Sequence, residues 1–124
     1  MDKKKILIVD DNADTRLILS ARLKANHYHT IFAADALQAM SVALKEQPDA
    51  ILLDLGLPGG NGLVVLQRLK SNTALSAIPV IIVTAEDPSV AETRAIEAGA
   101  DAFLQKPVDQ DKLLAAVQQA VGTT

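Results

Sequence analysis

The sequence has no cysteine and no tryptophan, and its one tyrosine and two phenylalanines bring the aromatic share to only 2% of 124 residues. Without thiols there can be no disulfide and no thiolate metal site, which fits a reducing compartment. With so few aromatics the core must come from Ile, Leu, Val and Ala within a 49% hydrophobic content, a composition suited to parallel strands covered by helices. No apolar run is long enough to span a bilayer, and Lys3-Lys4-Lys5 leads into a short run ended by Asp10, unlike a signal peptide. The expectation is a cytosolic protein with no membrane partner. A net charge of -3 without a basic stripe argues against direct nucleic-acid binding. The lysine triplet reads as a solvated strand entry.

What is present has a rhythm. Short β-branched runs alternate with longer helical patterns, the signature of repeated βαβ units, and five such units fit one domain over residues 1–124. A chain of this length buries roughly two-thirds of the surface its unfolded form exposes. Strands are expected near Lys5 to Val9, Tyr28 to Ala33, Ala50 to Leu53, Val80 to Val83 and Ala102 to Leu104. Helices are expected over Asp14 to Ala25, Ala36 to Lys45, Leu63 to Ser71, Ser89 to Ala98 and Gln110 to Val121. Pro48-Asp49 and Ile78-Pro79 punctuate strand entries, and Gly99 ends the fourth helix. Asp35, Asn61 and Asp109 are helix caps or their neighbours. Right-handed crossovers favour a doubly wound α/β sheet with a switch point beside the first strand.

Polar residues end the apolar runs: Asp10-Asp11, Asp54, Thr84 and Lys106. If those runs are parallel strands of one sheet, the five groups meet at the edge where α/β folds bind ligands. Three acids for a divalent cation and two phosphate-binding groups make a phosphoryl-transfer site. Asp54 is the candidate nucleophile, because a carboxylate attacking phosphorus forms an acyl phosphate. A lone strand-end aspartate is commonly only a cap or turn residue; the four companions set this one apart. Asp10 and Asp11 supply hard oxygen donors of the kind Mg²⁺ takes, although Asp11 alone could simply cap the first helix. Without a cation the clustered carboxylates would repel each other by about 1 to 4 kcal/mol per close pair. Thr84 offers a hydroxyl donor and Lys106 a compact cation for phosphoryl oxygens.

Ile8-Val9-Asp10-Asp11-Asn12, Leu53-Asp54-Leu55-Gly56-Leu57-Pro58 with Gly62, Val83-Thr84-Ala85 and Phe103-Leu104-Gln105-Lys106-Pro107 together resemble the receiver domain of two-component response regulators. All five signature positions occur in order and spacing over the whole chain. The resemblance implies a flavodoxin-like parallel sheet of order 2-1-3-4-5 with five flanking helices, like the chemotaxis regulators. It implies a phosphohistidine donor on a sensor histidine kinase or histidine phosphotransfer protein, and catalysis limited to the domain's own phosphorylation and dephosphorylation. Mg²⁺ would be ligated by Asp11, Asp54 and the Gly56 backbone carbonyl, with Asp10 acting through water. Ala85 is the small residue that leaves phosphate access, and the Lys106-Pro107 bond is expected to be cis. Thr84 and Phe103 would form the switch, with the fourth helix, fifth strand and fifth helix as the output face towards a downstream protein. On the first helix the resemblance puts Ile18 and Leu23 inward and leaves Leu17, with Ala13 and Ala21, as a docking patch for the donor.

Two departures stand out. Gly56 carries no side chain two residues after Asp54, and Gly59-Gly60-Asn61-Gly62 is glycine-rich, so that loop is expected to be mobile. Glu86 lies near the path of an attacking water, and a poorly shielded acyl phosphate is expected. A haloacid-dehalogenase-like phosphatase would need an acid where Gly56 stands. A flavin carrier would need a phosphate-cradling loop where Asp10-Asp11-Asn12 stands, and more aromatics. A degenerate receiver that only binds partners is disfavoured by the intact site. His27 and His29 flank Tyr28 and lack a third ligand, so they read as surface residues. Five units leave no room here for an output domain, so the chain reads as a stand-alone receiver or a piece of a longer protein.

Overall fold

Each apolar run becomes a strand and each longer pattern a helix in the computed structural model, which describes residues 3–60 and 62–122. The strands are β1 (Lys5–Val9), β2 (His29–Ala33), β3 (Ala50–Leu53), β4 (Val80–Thr84) and β5 (Ala102–Gln105). The helices are α1 (Ala13–Ala25), α2 (Ala36–Glu46), α3 (Gly62–Ser71), α4 (Pro88–Glu97) and α5 (Gln110–Val121), with a 3₁₀ turn at Pro58–Gly60 before α3. All four strand pairings are parallel, in the order β2-β1-β3-β4-β5. The expected doubly wound, flavodoxin-like sheet is therefore the one that forms.

Alternation along the strands sorts side chains into two layers. Leu7, Val9, Ile51, Leu53, Val80 and Ile82 pack with α2, α3 and α4. Ile6, Ile8, Ala50, Leu52, Ile81 and Val83 pack with α1 and α5. Because both faces are covered, β1, β3 and β4 are apolar on both, which explains their near-continuous runs. Each fully buried Ile, Leu or Val contributes about 1.5 to 3 kcal/mol by leaving water.

The helices begin where short polar side chains can take a free amide. Asp35 accepts from Gln38 N–H and Asp109 from Lys112 N–H, both expected caps, and Asn12 and Asp87 cap α1 and α4 in the same way. Asp11 is thus not the α1 cap; Asn12 takes that place. Asn61, expected near the α3 cap, lies outside the described residues. Gly99, with φ 107°, follows the end of α4 as expected.

Helix α1 corrects one expectation. Its buried residues are Leu19, Ser20 and Leu23, whereas Ile18 is 53% exposed. The helix meets the sheet through the 19-20-23 stripe, and the Ser20 hydroxyl is tied to Thr30 Oγ1 at 2.8 Å. That contact turns Ile18 away from the sheet, into a groove of about 370 Å³ shared with Arg22, Pro107 and Val108. No helix among the described residues is long and apolar enough to cross a membrane.

Candidate functional site

Parallel pairing continues one residue past several strands and fixes the backbone of the polar residues that follow. Asp10 N–H donates to the Ala33 carbonyl at 3.1 Å, Asp54 N–H to Val9 at 3.0 Å and Lys106 N–H to Thr84 at 2.8 Å. Residues far apart in sequence thereby reach one end of the sheet with little freedom left.

There the side chains converge. Lys106 Nζ donates to Asp10 Oδ2 at 2.7 Å and to Asp54 Oδ2 at 3.0 Å. Asp54 Oδ1 accepts from Gly56 N–H at 2.8 Å, and Asp10 Oδ1 from Asn12 N–H at 2.9 Å. Both carboxylates are buried but satisfied, and among the described residues no buried side-chain nitrogen or oxygen lacks a partner. Burial pushes the Lys106 ammonium towards losing its proton; the hydrogen bonds and charges of Asp10 and Asp54 outweigh it and hold the pKa above the usual lysine value.

Asp11 is exposed, yet oxygens of Asp10, Asp11 and Asp54 lie within 4.8 Å of one another. Such an all-carboxylate set suits a hard divalent cation that keeps part of its water shell. The Gly56 carbonyl belongs to the loop beside them, whose amide is already bonded to Asp54. A Cβ at Gly56 would sit 3.4 Å from Asp54 Oδ1, an ordinary contact, so glycine there leaves the carboxylate uncovered on that side.

Thr84 ends β4 almost wholly buried, and its Oγ1 lies 3.4 Å from Glu86 N. Glu86 and Ala85 are exposed at the rim. Phe103 pairs in register with Ile82 and packs, partly buried, against the α2–α4 layer. By strand alternation it shares that layer with Thr84, whereas Leu104 lies in the other. The Lys106-Pro107 peptide is cis, as expected. Leu17 is 66% exposed, with Ala13 and Ala21 exposed beside it. His27 and His29 are both exposed.

Three contributors escaped the sequence reading. Arg16 donates to the Asp10 carbonyl at 2.6 Å, Arg22 donates to the Val108 carbonyl at 2.7 Å, and Asn12 joins the acid pair to α1. Asn12 carried a signal as a good capping residue ahead of an apolar pattern. The arginines carried none, because a guanidinium reaching a backbone carbonyl leaves no trace in spacing.

The chain has clear relatives. A family profile described as the response regulator receiver domain matches residues 6–118. The response regulator PleD of Caulobacter vibrioides is 38% identical over 114 residues, covering 92% of this chain but 25% of PleD. Other curated relatives are spanned over about half their length. A crystal structure of a putative response regulator from Chloroflexus aurantiacus superposes with a TM-score of 0.93 at 28% identity, covering 98% of this chain and 100% of that one. The receiver domain of the sensor histidine kinase PA1611 from Pseudomonas aeruginosa, solved with magnesium in its active-site cleft, gives 0.88 at 27% identity, with 98% and 100% covered.

Proposed function

We propose that this chain, which belongs to the response regulator receiver domain family, accepts a phosphoryl group on Asp54 from a phosphohistidine and changes shape to control a partner. The observation that carries this reading is the double contact of Lys106 with Asp10 and Asp54, residues 96 and 52 positions away. A strand-end cap has no use for such convergence.

Asp54 attacks through one carboxylate oxygen while the bond from phosphorus to the donor imidazole nitrogen breaks. Gly56 N–H and Lys106 orient the carboxylate before the donor arrives, so little reorganisation is left for the reaction. Lys106 and the Thr84 hydroxyl then serve the equatorial phosphoryl oxygens. Asp10, Asp11, Asp54 and the Gly56 carbonyl would hold Mg²⁺, which when bound offsets the negative charge of the acids and of the phosphoryl group. Drawing Thr84 towards phosphate alters the space beside Phe103, and phosphorylation thereby favours one of two conformations. The output passes through the α4–β5–α5 face to a downstream protein. The only catalysis is the chain's own phosphorylation and dephosphorylation. Glu86 at the open rim supports a short-lived acyl phosphate.

Incubation with Mg²⁺ and acetyl phosphate tests the reading by intact mass. One phosphoryl mass should be gained, require Mg²⁺ and be released by hydroxylamine. No gain, or a hydroxylamine-resistant gain on a hydroxyl side chain, would overturn it.

Two variants probe separate parts. Lys106→Met should slow phosphorylation by about 100-fold or more, the scale of losing one preorganised donor to developing charge. It should also lower the melting temperature in EDTA, with Mg²⁺ restoring more stability than in the parent, because the acids have lost their internal cation. Leu17→Glu should slow transfer from a phosphohistidine protein while leaving acetyl phosphate kinetics unchanged. Equal rates with both donors would remove Leu17 from the docking surface.

A further inference from the structure

We infer that Arg16 is a positioning residue for Asp11, fixing the direction in which that carboxylate leaves the end of β1. The inference rests on reading Asp10, Asp11 and Asp54 as cation ligands. Two of these acids are held at both oxygens: Asp10 by Asn12 N–H and Lys106, Asp54 by Gly56 N–H and Lys106. Asp11 differs, since among the described residues its exposed carboxylate accepts no hydrogen bond. The direction of its Cα–Cβ bond therefore rests on its backbone.

That backbone is held on both sides of the Asp11 Cα. The preceding peptide unit, which contains the Asp10 carbonyl, accepts from the Arg16 guanidinium at 2.6 Å. The following unit, which contains Asn12 N–H, donates to Asp10 Oδ1 at 2.9 Å. Fixing both peptide planes fixes φ and ψ at Asp11 and hence its Cα–Cβ bond. Arg16 is itself anchored, because its own amide bonds to the Asn12 carbonyl at 3.1 Å in the first turn of α1. Removing the guanidinium frees one of the two planes.

Charge and placement predict opposite signs. A guanidinium beside an acidic cluster opposes binding of a divalent cation, so by Coulomb's law alone its loss should tighten Mg²⁺. If placement dominates, Arg16→Gln should weaken Mg²⁺ binding by about 10-fold or more, as losing an outer partner of a metal ligand commonly does. Arg16→Lys keeps the charge on a longer-jointed, single-point donor and should fall between Gln and the parent.

The test uses the whole chain in two arms. In EDTA, ¹⁵N relaxation should show the Asp11 amide losing order in Arg16→Gln, from about 0.85 to below about 0.6, while the strand amides stay rigid. In a calorimetric Mg²⁺ titration the same variant should bind more weakly. Unchanged order at Asp11, or binding as tight as or tighter than the parent's, overturns the inference; Arg16→Lys supplies both readouts if the Gln variant does not fold. A parent that takes up no Mg²⁺ would instead sink the cation reading, and the relaxation arm would still decide the role of Arg16.

Discussion

Asp54→Asn should take up no phosphoryl group from acetyl phosphate, even with excess Mg²⁺, and yet fold as well as the parent. The amide is nearly isosteric with the carboxylate, so its single oxygen can still accept from Gly56 N–H, as Asp54 Oδ1 does at 2.8 Å, while its NH2 replaces the Oδ2 that accepts from Lys106 at 3.0 Å and that bond is lost. What vanishes is the anionic oxygen that attacks phosphorus, for which nothing nearby substitutes: Asp10 is buried and engaged at both oxygens, and Asp11 is exposed at the margin. Neutralising one of three neighbouring acids also removes repulsion of about 1 to 4 kcal/mol per close pair, which offsets the loss of one of the two acceptors of Lys106, the other being Asp10 at 2.7 Å. Circular dichroism melts should therefore match the parent within a few degrees or lie above it. Persistent labelling at one phosphoryl per chain would move the acceptor to another residue.

Gly62→Ala should destabilise the fold strongly. An added Cβ there would lie 2.3 Å from Leu55 Cα and 2.5 Å from the Asp54 carbonyl oxygen, inside contact distance of backbone that cannot rotate away. Helix α3 must move off the end of β3 or the loop after Asp54 must shift. Overpacking of a rigid site costs about 3 kcal/mol or more, measured here as a fall in the urea midpoint without a change in slope. Phosphorylation should weaken with it, because the displaced atoms belong to Asp54 and its neighbour. Gly56→Ala is the control. Its Cβ would meet Asp54 Oδ1 at 3.4 Å, so it should leave the midpoint nearly unchanged. Similar losses at both positions would mean that the close approach of α3 is not the cause.

The same close approach marks how far local pattern can be read. Every strand and helix was expected within two residues of where it forms, because strands buried on both faces and helices buried on one leave different periodicities. The site residues were legible for a related reason: a polar residue ending an apolar run in a parallel sheet must arrive at the ligand-binding edge. Ile18 was misplaced because its orientation depends on how α1 rolls on the sheet, set by the long-range Ser20–Thr30 hydroxyl contact. Arg16 and Arg22 were invisible because their acceptors are main-chain carbonyls, which every sequence contains. The left-handed conformation at Gln47, φ 46°, was likewise unsignalled, since glutamine is not a usual choice there, whereas His27, φ 70°, is of a residue type enriched in that region.

Strand alternation puts Thr84 and Phe103 in register with the layer of α2, α3 and α4, while Leu104, ahead of Lys106, belongs with α1 and α5. A phosphoryl group gripped by Thr84 and Lys106 together would act as a staple across the seam between two separately packed halves. Fastening or releasing it would then change the mechanical coupling of those halves, so that a modification of a single side chain could be felt at helices on opposite flanks of the molecule.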